Sequence, residues 1–179
     1  KFKDALDLLH ERGKAMQEAV PVGKGSMLAI LGAKIKDISD LLISFKEKGV
    51  CEIANDNADG QVIVSGDKDS IVSFQSLLKE KKIKSIPLKV SAPFHCSLMK
   101  SAADKMSDKI KNINFTNPTH SILSNVTAKI EKNPENIKKL LIDQIFSTVK
   151  WRETIINISN EGVSNFVEIG PGKVLTGMV

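Results

Sequence analysis

The residue in this chain best placed to do chemistry is His95, set in Ser91-Ala92-Pro93-Phe94-His95-Cys96-Ser97-Leu98-Met99. The stretch predicts an extended segment giving way to an amphipathic helix, so the imidazole falls at a junction where it can face a cleft. A histidine there, with an unperturbed pKa near neutrality, can take a proton from a nucleophile and return it to a leaving group. The position equally suits a histidine that makes only a partly buried polar contact, and residue type alone does not separate the two.

Other candidates are weaker on chemical grounds. Cys96 adjoins His95, but neighbours in sequence rarely turn their side chains toward each other on a helix, and a nucleophile and its base usually meet from different parts of a fold. Cys51 and Cys96 form no CxxC or Cys/His pair with metal-ligand spacing, so neither zinc nor a disulfide framework is expected and both read as reduced thiols. Gly170-Pro171-Gly172-Lys173 resembles a phosphate-cradling turn, yet Val167 stands where a Walker A motif needs its first glycine and Val174 follows the lysine. It reads as a strand-to-helix turn. His10 and His120 have no acidic or cysteine partner at metal spacing.

These residues are carried by a chain of 179 residues, 41% hydrophobic and 26% charged, an ordinary composition for a globular protein with one sizeable core. No apolar run approaches the roughly 20 residues that span a bilayer, and Lys1-Phe2-Lys3-Asp4 begins no signal peptide. A cytoplasmic protein without membrane contact is expected. The net charge of +5 would steer an acidic partner, either a carrier protein or a phosphate-bearing coenzyme. With seven Phe, one Trp and no Tyr, there is little to stack nucleic-acid bases, and no nucleic-acid partner is expected.

Periodicity predicts a first helix over 2–17, with Phe2, Ala5, Leu6, Leu9 and Met16 as its apolar stripe and Arg12 beside it. The pattern then reads strand 27–31, helix about 36–48, strand 50–54, strand 61–66, helix about 68–81 and strand 84–90. This βαββαβ order matches a ferredoxin-like arrangement, with Gly49 as C-cap of its first helix and Asp67 capping the second. Beyond His95 come a helix near 97–111, an apolar run 121–124, helices from Pro134 to about Phe146 and from Trp151, a buried strand 163–169 and a last helix from Lys173. These pieces read as αβ units of a parallel sheet. The expected organisation is therefore a larger, incomplete α/β unit, 1–25 with 92–179, interrupted by a small βαββαβ unit, 26–91.

Taken in order, several segments resemble the malonyl-CoA:acyl carrier protein transacylase family of fatty acid synthesis, whose acyltransferase fold also occurs in polyketide synthases. They are Arg12-Gly13-Lys14-Ala15-Met16-Gln17, Asn55-Asp56-Asn57, Gly60 to Gly66, Ala92 to Met99, Ser124-Asn125-Val126-Thr127, Gln144, Val149-Lys150-Trp151 and Glu168 to Leu175.

The resemblance implies a ping-pong transfer in which a serine takes malonyl from coenzyme A and passes it to the phosphopantetheine thiol of acyl carrier protein, with no cofactor. On the matching positions His95 would be general base and then general acid. Arg12 would grip the malonyl carboxylate, which suits a planar guanidinium. Gln144 would accept from the other imidazole nitrogen through its main-chain carbonyl. Asn55 and Asn57 would line the cleft, and Phe94 resembles the malonyl-selective form of the motif.

One departure is large. The family's G-H-S-L-G nucleophile turn is absent, and Ser65, Ser91, Ser97 and Ser124 sit in no G-x-S-x-G context. The chain is therefore expected to be partial, with its serine and oxyanion hole supplied by residues not present and with no activity alone. Two other classes remain: a catalytically silent acyltransferase-like docking domain, and a basic ferredoxin-like RNA-binding module.

Overall fold

The computed structural model describes residues 1–179. Helix α1 (Phe2–Ala19) leads into β1 (Gly25–Leu31), α2 (Ile35–Ser44), β2 (Cys51–Ala58), β3 (Gln61–Asp67), α3 (Lys68–Glu80) and β4 (Lys84–Pro87). After a 3-10 turn at Ser97–Met99 follow α4 (Lys100–Lys111), β5 (Ile122–Leu123), β6 (Ile130–Glu131), α5 (Pro134–Asp143) and α6 (Trp151–Asn160), with a last 3-10 turn at Thr176–Met178. No helix is long and apolar enough to cross a membrane.

The βαββαβ segment forms a four-stranded sheet in the order β2-β3-β1-β4, antiparallel throughout. Side chains alternate across a strand, so Leu28 and Ile30 of β1 and Val62 and Val64 of β3 share one face. They are fully buried there against Ile38 of α2 and Ile71, Phe74 and Leu78 of α3. The next residue of β3, Ser65, turns to the opposite face, and its hydroxyl donates to the Cys96 thiol. The His95 loop is thus laid against the side of the sheet that the helices leave free.

A second apolar cluster joins α1 (Ala15, Met16) and Val20 to Ala92, Met99, α4 (Ala102, Ala103, Met106, Ile110) and Ile145. The alanines bring α1 and α4 close, and burial of such side chains contributes roughly 25 cal/mol per Å². The two clusters meet where β1 begins, because a side chain at Gly25 would overlap the Pro93 ring.

Several sequence expectations are corrected. Gly49 does not cap α2, which ends at Ser44 as Phe45 turns extended to pack edge-on against Phe74. Gly49 lies in the connection to β2 with φ +104, and a Cβ there would stand 2.5 Å from Ser70 Oγ. Asp67 occupies the N-cap position of α3, but its carboxylate accepts from Val50 N at 2.6 Å rather than from its own helix. Strand β4 ends at Pro87, short of the expected 90, with one further bond from Leu88 N to Met27 O at 2.9 Å.

The parallel sheet expected for the larger unit is not formed among these residues. Ile122–Leu123 pairs antiparallel with Ile130–Glu131, and the one parallel pairing is the isolated bridge between Asn55 and Val149. Residues 163–169 pair with no strand and stand largely in the open, Ile169 at 94% exposure, and the expected helix from Lys173 is only the turn at 176–178. Apolar patterning marked 163–169 for a buried strand, but a strand forms only where a neighbouring edge offers its hydrogen bonds.

Gly49→Ala should lower stability by about 1–3 kcal/mol, the range for a residue held in sparsely populated backbone space. Urea unfolding reads this directly, and an unchanged midpoint would contradict the close approach to Asp67 and Ser70.

Candidate active site

The site grows from a helix end. The last carbonyls of α5 have no partner within the helix, and one of them, the C-cap carbonyl of Gln144, accepts a hydrogen bond from His95 Nδ1 at 2.9 Å. A carbonyl only accepts, so Nδ1 carries the proton and Nε2 presents its lone pair. The negative end of the α5 dipole reinforces that tautomer.

Four hydrogen bonds fix the loop that delivers the ring. The Cys96 thiol, fully buried, donates to Pro93 O at 3.2 Å and accepts from Ser65 Oγ. Ser97 donates through N (2.8 Å) and Oγ (2.6 Å) to the two oxygens of Glu52 on β2. His95 lies between with φ +58, a left-handed conformation uncommon for a residue with a side chain.

Arg12 comes to the same place from α1. It lines an open, mainly apolar cavity of about 350 Å³ with Leu8, Leu9, Phe115, Leu141 and Gln144. Its half-buried guanidinium makes no ion pair, whereas Arg152 is bidentate on the buried Asp56 at 2.7–3.1 Å. Burial pushes the Arg12 pKa down. Burial likewise lowers that of His95; the Gln144 carbonyl opposes this and the Arg12 charge adds to it. The ring is thereby held neutral at neutral pH, with Nε2 unprotonated and able to accept a proton.

Arg12, His95 and Gln144 are therefore brought together. Phe94 packs half-buried against the α1–α4 cluster. On β2, Asn55 follows one bulge and Asn57 lies in the next, and no hydrogen bond joins either to His95, Arg12 or Gln144. The thiols are poor nucleophiles: burial pushes Cys51 up to about 12 and also raises Cys96.

Glu52, Asp56, Thr148 and Arg152 escaped sequence reasoning. Thr148 Oγ1 donates to Ile53 O (2.6 Å), Val149 N to Ala54 O (2.8 Å) and Asp56 N to Val149 O (2.9 Å), stitching β2 to the segment that follows Gln144. Two carboxylates within the short stretch 52–56 were the available signal, but their partners lie far away in sequence.

The acyl transferase domain family matches residues 2–179. The chain is 40% identical over 178 residues to a malonyl CoA-acyl carrier protein transacylase of Haemophilus influenzae, covering 99% of this chain and 57% of that protein. The structure of the malonyl CoA-acyl carrier protein transacylase from Coxiella burnetii superposes with a TM-score of 0.96 at 34% identity, over 99% of this chain and 57% of that one. A malonyl-transacylase solved with a type II PKS acyl-carrier protein gives 0.95 at 39%, over 99% and 58%. The chain thus spans little more than half the length of these relatives. With the family model matched over residues 2–179, the chain belongs to the acyl transferase domain family.

Proposed function

We propose that this chain supplies the general base and the carboxylate-binding residue of a malonyl-CoA:acyl carrier protein S-malonyltransferase acting in fatty acid biosynthesis. The observation that carries this reading is the unpaired, half-buried Arg12 guanidinium next to an imidazole whose outward nitrogen is free. An apolar wall around a lone cation favours an anionic ligand, and a planar fork matches a carboxylate bidentately. The transacylases among its relatives, one of them bound to an acyl-carrier protein, support the identity of donor and acceptor.

In this mechanism His95 Nε2 takes the proton of a serine hydroxyl as the oxygen attacks the thioester carbonyl of malonyl-CoA. The C–S bond breaks, and the imidazolium returns the proton to the coenzyme A sulfur. In the second half Nε2 deprotonates the phosphopantetheine thiol of acyl carrier protein, the sulfur attacks the malonyl ester, the C–O bond breaks, and the serine oxygen recovers its proton. The serine and the oxyanion-hole donors are assigned to residues outside this chain. Gln144 holds the tautomer through its carbonyl, where serine proteases use a carboxylate. Phe94, Asn55 and Asn57 are assigned to the walls of the cleft. Acyl transfer between a hydroxyl and thiols needs no metal or redox group, and none is assigned.

The two apolar clusters support a division into a larger unit, 1–25 with 92–179, and a small unit, 26–91, whose sheet order suits the ferredoxin-like pattern. The segment 121–124, paired on one side with β6, and the open segment 163–169 are assigned to a parallel sheet completed by residues outside the chain. Those residues would also cover the exposed Phe2, Leu6, Leu9 and Val167. A cytoplasmic location is part of the proposal.

In the full-length enzyme, His95→Ala should slow malonyl transfer by about 10²- to 10⁴-fold; near-wild-type transfer would remove His95 as the base. Arg12→Ala should lower kcat/KM for malonyl-CoA by about 10- to 100-fold, the equivalent of roughly 1.5–3 kcal/mol for hydrogen bonds to a charged group, while uncharged acetyl-CoA is used as well or better. Undiminished malonyl preference would sink the carboxylate assignment.

The pH profile gives an independent check. Because the folded His95 pKa lies below 6.5, activity is lost as pH falls through a value under that figure. Removing the like charge in Arg12→Ala should shift this acid limb of kcat/KM upward, and a limb that stays in place contradicts the coupling.

A further inference from the structure

We propose that Glu52 is a positioning residue for His95, an inference that rests on the acyl-transfer reading above. The backbone of His95 is in the left-handed region, where a side chain is held only if the surrounding structure insists. Two residues on, Ser97 gives both its N–H and its hydroxyl to one carboxylate, that of Glu52, at 2.8 and 2.6 Å. These are charge-assisted bonds at the start of the turn that leads into α4, where free amides and the helix dipole favour an anion. No lysine or arginine forms an ion pair with Glu52, so the His95 loop is its fixed partner.

Glu52 acts from the same strand that holds the other end of the His95–Gln144 bond. Ile53 and Ala54 accept from Thr148 and Val149, which follow shortly after Gln144 in the chain, and Asp56 N closes the pairing on Val149 O. Strand β2 is thus a strut with the imidazole loop fastened at Glu52 and the carbonyl-bearing segment fastened just beyond. If the first fastening is released, the strained loop relaxes while Gln144 stays in place, so Nε2 loses its aim without any contact to substrate being removed.

The test is single-turnover formation of the malonyl-enzyme from malonyl-CoA, with steady-state kcat and KM, in the full-length enzyme. Glu52→Ala should slow malonyl-enzyme formation and kcat by about 10- to 100-fold, the cost of misplacing a reacting group by an ångström, with KM for malonyl-CoA unchanged. Glu52→Gln should restore most of the rate, since its amide oxygen accepts from Ser97 N–H and its NH₂ donates to Ser97 Oγ. Ser97→Ala, which removes one of the two bonds, should give a smaller fall of the same kind and keeps the test open should Glu52→Ala fold poorly.

Wild-type rates in Glu52→Ala and Ser97→Ala, a rise in KM in place of a fall in kcat, or equal loss in Glu52→Ala and Glu52→Gln would each overturn the proposal. A wild-type enzyme that forms no malonyl-enzyme would instead overturn the acyl-transfer reading.

Discussion

The structure depends on the hydrogen bond from His95 Nδ1 to the Gln144 carbonyl. It joins the loop on the free face of the antiparallel sheet to the C-terminal end of α5. It also decides which imidazole nitrogen is available for chemistry. A main-chain carbonyl carries only a partial charge, so it orients the ring without the strong pull of a carboxylate toward the imidazolium. Burial then wins the balance over that hydrogen bond, and with the Arg12 charge acting in the same direction the ring stays neutral.

Everything else is arranged to keep the two ends of this bond at their separation. The α1–α4 cluster sets Arg12 on the cavity wall, and the sheet cluster sets β3 so that Ser65 reaches Cys96. Strand β2 touches both ends of the bond's setting, the His95 loop through Glu52 and the segment after Gln144 through Ile53, Ala54 and Asp56. The bulges in its pairing with β3 let it leave the regular ladder and pair with Val149. The Asp56–Arg152 pair, with a carboxylate only 4% exposed, costs desolvation and is repaid by three short hydrogen bonds in a fork geometry.

Much of this was legible in the chain where the cause was local. The short apolar run of β1, the Pro134 start of α5 and the junction at His95 each depend on residues a few positions apart. The convergence of Arg12, His95 and Gln144 came from resemblance, since no periodicity links α1 to α5. What failed was long-range. Asp67 looked like a helix cap because its sequence neighbours are helical, yet the closest free donor is Val50 N–H, brought there by the strand pairing. Residues 163–169 have the composition of a strand, and only a partner edge would make them one.

The most direct test of the account is the protonation of the His95 ring in the full-length enzyme, read from the ¹⁵N chemical shifts of its two nitrogens at neutral pH. The account predicts a neutral ring with the proton on Nδ1 and an unprotonated Nε2. A proton on Nε2, or an imidazolium at pH 7, would contradict it.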